Sequence, residues 1–196
     1  QHAPVNHMRA LRDTRDPAGF SRDLWKQFAE MGFTGILIGE DQGGIGLGHV
    51  EAGVVLEEIG RNLSPSPFLT TAVAAVEALK GTGAAERWFP GIIAGETVAA
   101  LAIDEKAKHG TGIAMQAERS GNGFKLSGTK QFVTHGHVAD LILVAARTAG
   151  SAADKDGITL FAVPQDAANM KHDAVRLVDS SMASHITFDG VELDGD

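Results

Sequence analysis

Phe132 and Thr134 stand two residues apart in a β-type run, Thr129–Thr134, just after a turn at Gly128. On a strand, residues i and i+2 share a face, so an aromatic plate and a hydroxyl sit side by side on the face turned from the core. A flat ring beside a hydrogen-bonding hydroxyl suits a planar heteroaromatic ligand. An ordinary half-buried sheet carries the same pair, so the spacing alone leaves both readings open. His135 and His137 flank Gly136 close to Asp140, but the glycine loosens the backbone and no third ligand is in view. A hydrogen-bonding loop fits that group better than a metal site, and no metal ligand is assigned. Asp104 and Glu105 are adjacent at a strand end and point to opposite faces, which does not suit a carboxylate dyad. Ser180 and Ser181 lie near Asp179 and His185, yet Gly-x-Ser-x-Gly is absent, so hydrolase chemistry is not indicated. No residue is assigned as a catalytic base.

Composition narrows the classes further. The 196 residues suffice for one large domain or two small ones, and a 43% apolar fraction is ordinary for a globular protein. A net charge of −8 argues against a nucleic-acid partner, which needs clustered Lys and Arg. No apolar run reaches transmembrane length and no signal pattern opens the chain, so no membrane partner is expected and a cytoplasmic protein is the default. The absence of cysteine removes disulfides, thiolate catalysis and zinc–thiolate sites, and without tyrosine that general acid is missing too. The chain begins at Gln1 and stops at Asp196 just past an apolar strand pattern, which reads as part of something longer.

The elements that must position these residues fall into two groups. The first is helical. A short helix is expected around Met8–Arg12, and a firmer one behind Ser21 as N-cap, with Leu24, Trp25, Phe28 and Met31 at helical spacing and Gly32 as its stop. Phe33–Gly39 reads as extended. Glu40–Gly48, EDQGGIGLG, lacks the third glycine of a dinucleotide fingerprint, since His49 occupies that place; it reads as a flexible turn allowing close packing. His49–Gly60 reads as an amphipathic helix with Val50, Val54, Val55, Leu56 and Ile59 inward, and with Glu57 and Glu58 in solvent rather than paired for chemistry. Ser64–Pro67 turns into a helix over Phe68–Leu79, and Ala84–Ala94 forms another, with Pro90 a possible break and Gly95 its close.

After Gly95 the texture changes to short β-type runs between turn signals: 98–103, 113–118, 123–126, 129–134, 141–147, 157–163, 174–178 and 185–188. Ser120–Gly123 is a hairpin turn, and Ser151–Asp156 is a polar insert expected to be mobile. Helices first and strands second predict an α+β chain of two domains: an α-helical bundle over 1–96 and an antiparallel β-barrel or sandwich over 97–196.

Taken in order, five stretches resemble the acyl-CoA dehydrogenase family. They are Leu24–Phe33 with the Glu40–Leu47 glycine turn, Leu56–Arg61 (LEEIGR), Phe89–Glu96 (FPGIIAGE), Gly121–Thr134 (GNGFKLSGTKQFVT) and Ala139–Arg147 (ADLILVAAR). The resemblance implies FAD as cofactor, an acyl-CoA substrate, an electron-transfer acceptor and a homo- or hetero-oligomer. It implies α,β-dehydrogenation of the acyl-CoA thioester, in lipid or steroid catabolism. The family's Trp-Ile/Val-Thr triplet, which lines the flavin, falls on Phe132, Val133 and Thr134, with stacking kept and the indole N–H lost. Its Thr-Glu-Pro falls on Asp104, Glu105 and Lys106 after Ile103, and its Ala-Gly-Ser-Asp has no match in Ala107–Thr111.

Those departures have physical consequences. A carboxylate at Asp104 pointing toward the flavin would repel the charge that reduction places on it. The chain therefore resembles a divergent branch in which unlike subunits pair and bulky acyl groups such as steroid side chains are processed. The alternative is a non-catalytic partner subunit with a degraded flavin site. The family's C-terminal helical domain, which carries the base, has no counterpart here, so this chain alone is expected to be inactive and to bind FAD weakly.

Overall fold

The computed structural model describes residues 5–108, 110 and 112–195. His109 and Thr111, within the segment that departs from the family pattern, lie outside the described residues, as do residues 1–4 and Asp196. The chain divides into two compact units, one running to Ala99 with Leu177–Ser181 and the other comprising Ala100–Arg176 and Met182 onward.

The first unit is helical: α1 (Val5–Asp13), α2 (Arg22–Glu30), α3 (His49–Asn62), a π-helical stretch (Phe68–Ala75) continuing as α4 (Val76–Leu79), and α5 (Ala84–Ile93). The Ser21 hydroxyl caps α2 by accepting from the Leu24 N–H at 3.2 Å, and Leu24, Trp25 and Phe28 face the core. Gly32 follows in the left-handed region at φ 79°. Met31 lies at the exposed end of α2 rather than in the core. Phe33–Gly39 is not extended. It coils through a 3₁₀ turn at Phe33–Gly35, and Ile36, Leu37 and Ile38 are buried because the glycine turn folds back over them. The N–H groups of Ile45, Gly46 and Leu47 donate to Gly35, Ile38 and Ile36. A Cβ on Gly44 would come within 2.1 Å of the Ile38 carbonyl oxygen, so this turn needs glycine for backbone-to-backbone approach.

The inward face expected for α3 is covered only in part, with Val55, Leu56 and Ile59 half-buried. Ala52 is its buried residue, whereas Val50 and Val54 are 77% and 58% exposed. Phe28, Phe33, Val54, Val55 and Ile59 line an open apolar groove of about 400 Å³. The π-helical stretch buries Phe68, Thr71, Ala72 and Ala75. Its Thr71 hydroxyl accepts from the Ala99 N–H at 2.9 Å and donates to the Ala99 carbonyl at 3.0 Å, as a strand neighbour would. Pro90 sits inside α5 without ending it.

The second unit holds a seven-stranded sheet whose first strand begins at the last residue of the first unit: β1 (Ala99–Ala102), β2 (Gln116–Ser120), β3 (Gly123–Thr134), β4 (Leu141–Arg147), β5 (Ile158–Pro164), β6 (Met170–Arg176) and β7 (Met182–Leu193). The order is β1-β4-β2-β3-β7-β6, with β5 also paired to β4. Long antiparallel ladders join β2–β3, β3–β7, β4–β5 and β6–β7, and one parallel contact, Gln116 with Arg147, makes the sheet mixed. Every residue of β4 is buried, as its unbroken apolar run predicts. The two runs read across 123–134 are a single strand with two register shifts against β7: at Leu126/Ser127 the extra residue, Gly190, lies in β7, and at Lys130/Val133 it lies in β3. β6 begins four residues earlier than the 174–178 run. As the last strand in the order it alternates half-buried and exposed polar residues, a pattern that apolar periodicity does not report. Val178, assigned to that strand, stands fully exposed beyond it.

Segment 151–156 is anchored rather than loose. The buried Arg147 guanidinium donates to the carbonyls of Ile113, Ala149, Asp154 and Asp156, and the Asp154 carboxylate accepts from the Ser151 N–H and hydroxyl.

Candidate functional site

The decisive local feature is the bulge in β3 between Lys130 and Val133. Lys130 pairs with Ile186 and Val133 with Ser184, so two residues of β3, Gln131 and Phe132, oppose the single residue His185 of β7. Strict alternation would place Lys130, Phe132 and Thr134 on one face. The extra residue shifts the phase: Lys130 and Val133 go inward, and Phe132 comes out with its ring 43% exposed. The cost is visible in the backbone, because Phe132 sits at φ 52°, a region that bulky side chains rarely adopt. Such strain is of order 1–3 kcal/mol and persists only where surrounding structure enforces it. Here the ladder to β7 continues on both sides of the bulge.

His185 packs edge-on against the Phe132 ring, centroids 5.0 Å apart and planes at 67°. It helps hold the ring upright, and its Nδ1 is buried without a hydrogen-bond partner. With Lys171, His172, Asp173 and Thr187 it borders a polar hollow of about 340 Å³. Thr134 is half-buried beside the core residue Val133.

Beyond β1 the backbone runs alongside the bulge. The Gln131 N–H donates to the Asp104 carbonyl at 2.7 Å, and Ile103 is exposed while Asp104 is half-buried. Ile103 and Asp104 therefore adjoin the Gln131–Phe132 bulge through backbone pairing. The Asp104 carboxylate also lies within 3.4 Å of the Gly110 N–H.

Glu105 does not pair with Asp104. It turns inward to Lys130, whose ammonium donates to Glu105 Oε1 at 2.7 Å and to the Ile103 carbonyl at 3.0 Å. The Lys130 side chain is wholly buried. Burial works against the Glu105 carboxylate, but hydrogen bonds from Lys130 and the Met115 and Ala114 N–H groups outweigh it and hold its pKa below the usual range. Burial pulls the Lys130 ammonium down, and Glu105 and then Asp104 oppose that fall.

The loop after β3 begins with His135 at φ 60°, its N–H donating to the Met182 carbonyl at 3.1 Å. Burial, with a contribution from neighbouring His137, depresses its pKa to about 4. No cluster of three or more metal-binding side chains occurs among the described residues. Ser181 donates its N–H and hydroxyl to Asp179, which closes a turn.

Sequence reasoning passed over Lys130 and Arg147, and weighed Glu105 and His185 only against other neighbours, Asp104 and the Ser180–Ser181 pair. Charged residues in strands read as surface, and nothing local in the sequence marks two of them as a buried pair. What this arrangement offers is an aromatic plate raised by a bulge, a neighbouring hydroxyl and an adjoining backbone edge. These are the group types that a flat heteroaromatic ring uses when it binds a protein surface.

Residues 5–96 match the family description "Acyl-CoA dehydrogenase, N-terminal domain", and residues 100–191 match "Acyl-CoA dehydrogenase, middle domain". The chain belongs to the acyl-CoA dehydrogenase family. FadE27, an acyl-CoA dehydrogenase of Mycobacterium tuberculosis, is 29% identical over 178 residues, which is 89% of this chain and 45% of FadE27. A variant of the Tcur3481-Tcur3483 steroid ACAD superposes with a TM-score of 0.85 at 31% identity, over 98% of this chain and 52% of that one. The ChsE4-ChsE5 complex from Mycobacterium tuberculosis gives 0.84 at 28% identity, over 98% and 50%. The chain thus spans about half the length of these acyl-CoA dehydrogenases. No helix among the described residues is long and apolar enough to cross a membrane.

Proposed function

We propose that the chain forms the N-terminal and middle domains of an FAD-dependent acyl-CoA dehydrogenase that introduces a double bond between Cα and Cβ of an acyl-CoA thioester. The observation that carries this reading is the Phe132 ring, turned out of the core by a strained bulge. In this reading Phe132 packs against the flavin ring, Thr134 orients it by its hydroxyl, Val133 anchors the plate in the core, and Ile103 and Asp104 close one edge. FAD, when bound, supplies the hydride acceptor for the β-hydrogen. The chain's own residues hold and orient the planar ring. None of them is assigned as the base for the α-proton, and these 196 residues alone are read as inactive and weak in FAD affinity. Steroid-like or other bulky acyl groups are favoured as substrates because the steroid ACAD is among the similar structures. An electron-transfer acceptor and an oligomeric, cytoplasmic enzyme complete the reading.

Asp104 favours a second reading, a non-catalytic partner subunit, because a carboxylate near the plate opposes the charge of a reduced flavin. Two-component complexes among the similar structures point the same way. Colour separates the two. A full-length protein purified yellow, bleached by acyl-CoA and losing flavin on Phe132→Ala supports the enzyme. A colourless one that contributes to activity only with a second chain supports the partner and overturns the first reading.

A further inference from the structure

Lys130 and Glu105 are placed to do more than contribute stability. The Lys130 ammonium donates to Glu105 and to the Ile103 carbonyl. The Glu105 carboxylate in turn accepts the Ala114 and Met115 N–H groups at 2.9 Å each. Next to Lys130, the Gln131 N–H donates to the Asp104 carbonyl. One ion pair thereby joins three stretches, 103–105, 114–115 and 130–131. The first holds Ile103 and Asp104; the last leads straight into Phe132. The pair lies inside the domain, with the Lys130 side chain inaccessible and that of Glu105 nearly so.

A buried ion pair is a poor source of stability, since desolvating both charges offsets their attraction and an apolar pair of similar volume often does as well. An apolar pair has no directionality, however, whereas an ammonium and a carboxylate fix the separation of every backbone group they bind. We propose that Lys130 and Glu105 are a positioning pair that sets the distance between the Ile103–Asp104 edge and the Phe132 plate, and so the fit of a planar ligand there. The ligand half of this inference rests on the flavin reading above; the spacing half does not.

The test compares full-length protein with Glu105→Leu/Lys130→Met, in which both charges are removed and the volume is approximately kept. Melting temperature, hydrogen exchange at the Gln131 amide and FAD titration are read together. The double variant is expected to melt near the parent temperature, yet to exchange Gln131 at least tenfold faster and to bind FAD at least tenfold more weakly. Parent-like exchange at Gln131 in a variant of matched melting temperature overturns the positioning role. So does parent-like FAD affinity where the parent binds FAD. A parent without FAD affinity whose double variant still exchanges Gln131 faster sinks the flavin reading and sustains the pair. Glu105→Gln, which keeps size and one of the two acceptor oxygens but loses the charge, covers the case in which the double variant does not fold. It is expected to show intermediate Gln131 exchange, and parent-like exchange overturns the proposal.

Discussion

Helix α3 and strand β3 reverse each other's expectations. In α3 the apolar residues keep helical spacing, yet Val50 and Val54 are exposed. In β3 a lysine is completely buried, while a phenylalanine two residues later faces out. Periodicity identifies which face of an element is apolar. Whether anything covers that face is a property of what packs on it. In a strand, one inserted residue is enough to exchange the faces.

The contrast can be broken most forcefully at Lys130. Lys130→Met leaves Glu105 charged and buried with only backbone partners, and should cost about 3–5 kcal/mol in urea unfolding. A loss under 1 kcal/mol would mean that the pair is better hydrated than its burial implies. Arg147→Met should approach that size, about 3 kcal/mol, because carbonyls from Ile113 to Asp156 lose their donor together; a shift within error would show that the 151–156 segment holds itself.

His135 sharpens the comparison through pH. Its pKa is depressed to about 4 by burial, against an ordinary 6.5, so the imidazole is neutral in the folded state and protonates more readily when unfolded. Its contribution is complete above pH 6.5 and is lost as the pH falls from there through about 4, about 3 kcal/mol over that window. His135→Asn, which tolerates the positive φ, should flatten this acid limb in unfolding titrations at stepped pH. An unchanged limb would assign acid sensitivity to other groups.

Phe132→Ala should leave stability within about 1 kcal/mol, because the ring is half-exposed and alanine bears the same positive-φ cost. Any planar-ligand affinity should fall at least tenfold. A large loss of stability would make the ring a core residue instead of a plate. The smallest effect belongs to α3. Val50→Lys should change stability by no more than about 0.5 kcal/mol in this chain. A drop above 2 kcal/mol would show that its face is covered in solution.

Much of the fold was legible because it rests on local physics. Ser21 caps α2 since a hydroxyl at that place reaches an orphan N–H. Gly32 and Gly95 follow helices in the left-handed region, where a side chain is costly. The all-apolar 141–147 run became the buried β4. The division into helices and strands followed from the change of pattern near Gly95, and the five matched stretches carried the family. Phe33–Gly39 was misread because a short apolar run is compatible with either an extended or a coiled path. Only the glycine turn folding over Ile36–Ile38 chooses between them.

Of the candidate site, the sequence by itself determined the residue types: an aromatic, a valine and a threonine in a row, and a carboxylate where the family pattern has a hydroxyl. Alternation about Val133 already places Phe132 and Thr134 on the face turned from the core. Tertiary structure decided that Lys130, which strict alternation puts on that same face, turns inward instead through the bulge opposite His185. A bulge is a mismatch between two strands distant in sequence, so neither strand encodes it alone. The Lys130–Glu105 pair is likewise invisible in a linear reading. Its partners are separated by 25 positions, and a buried charge survives only where folding has already brought its counterion to it.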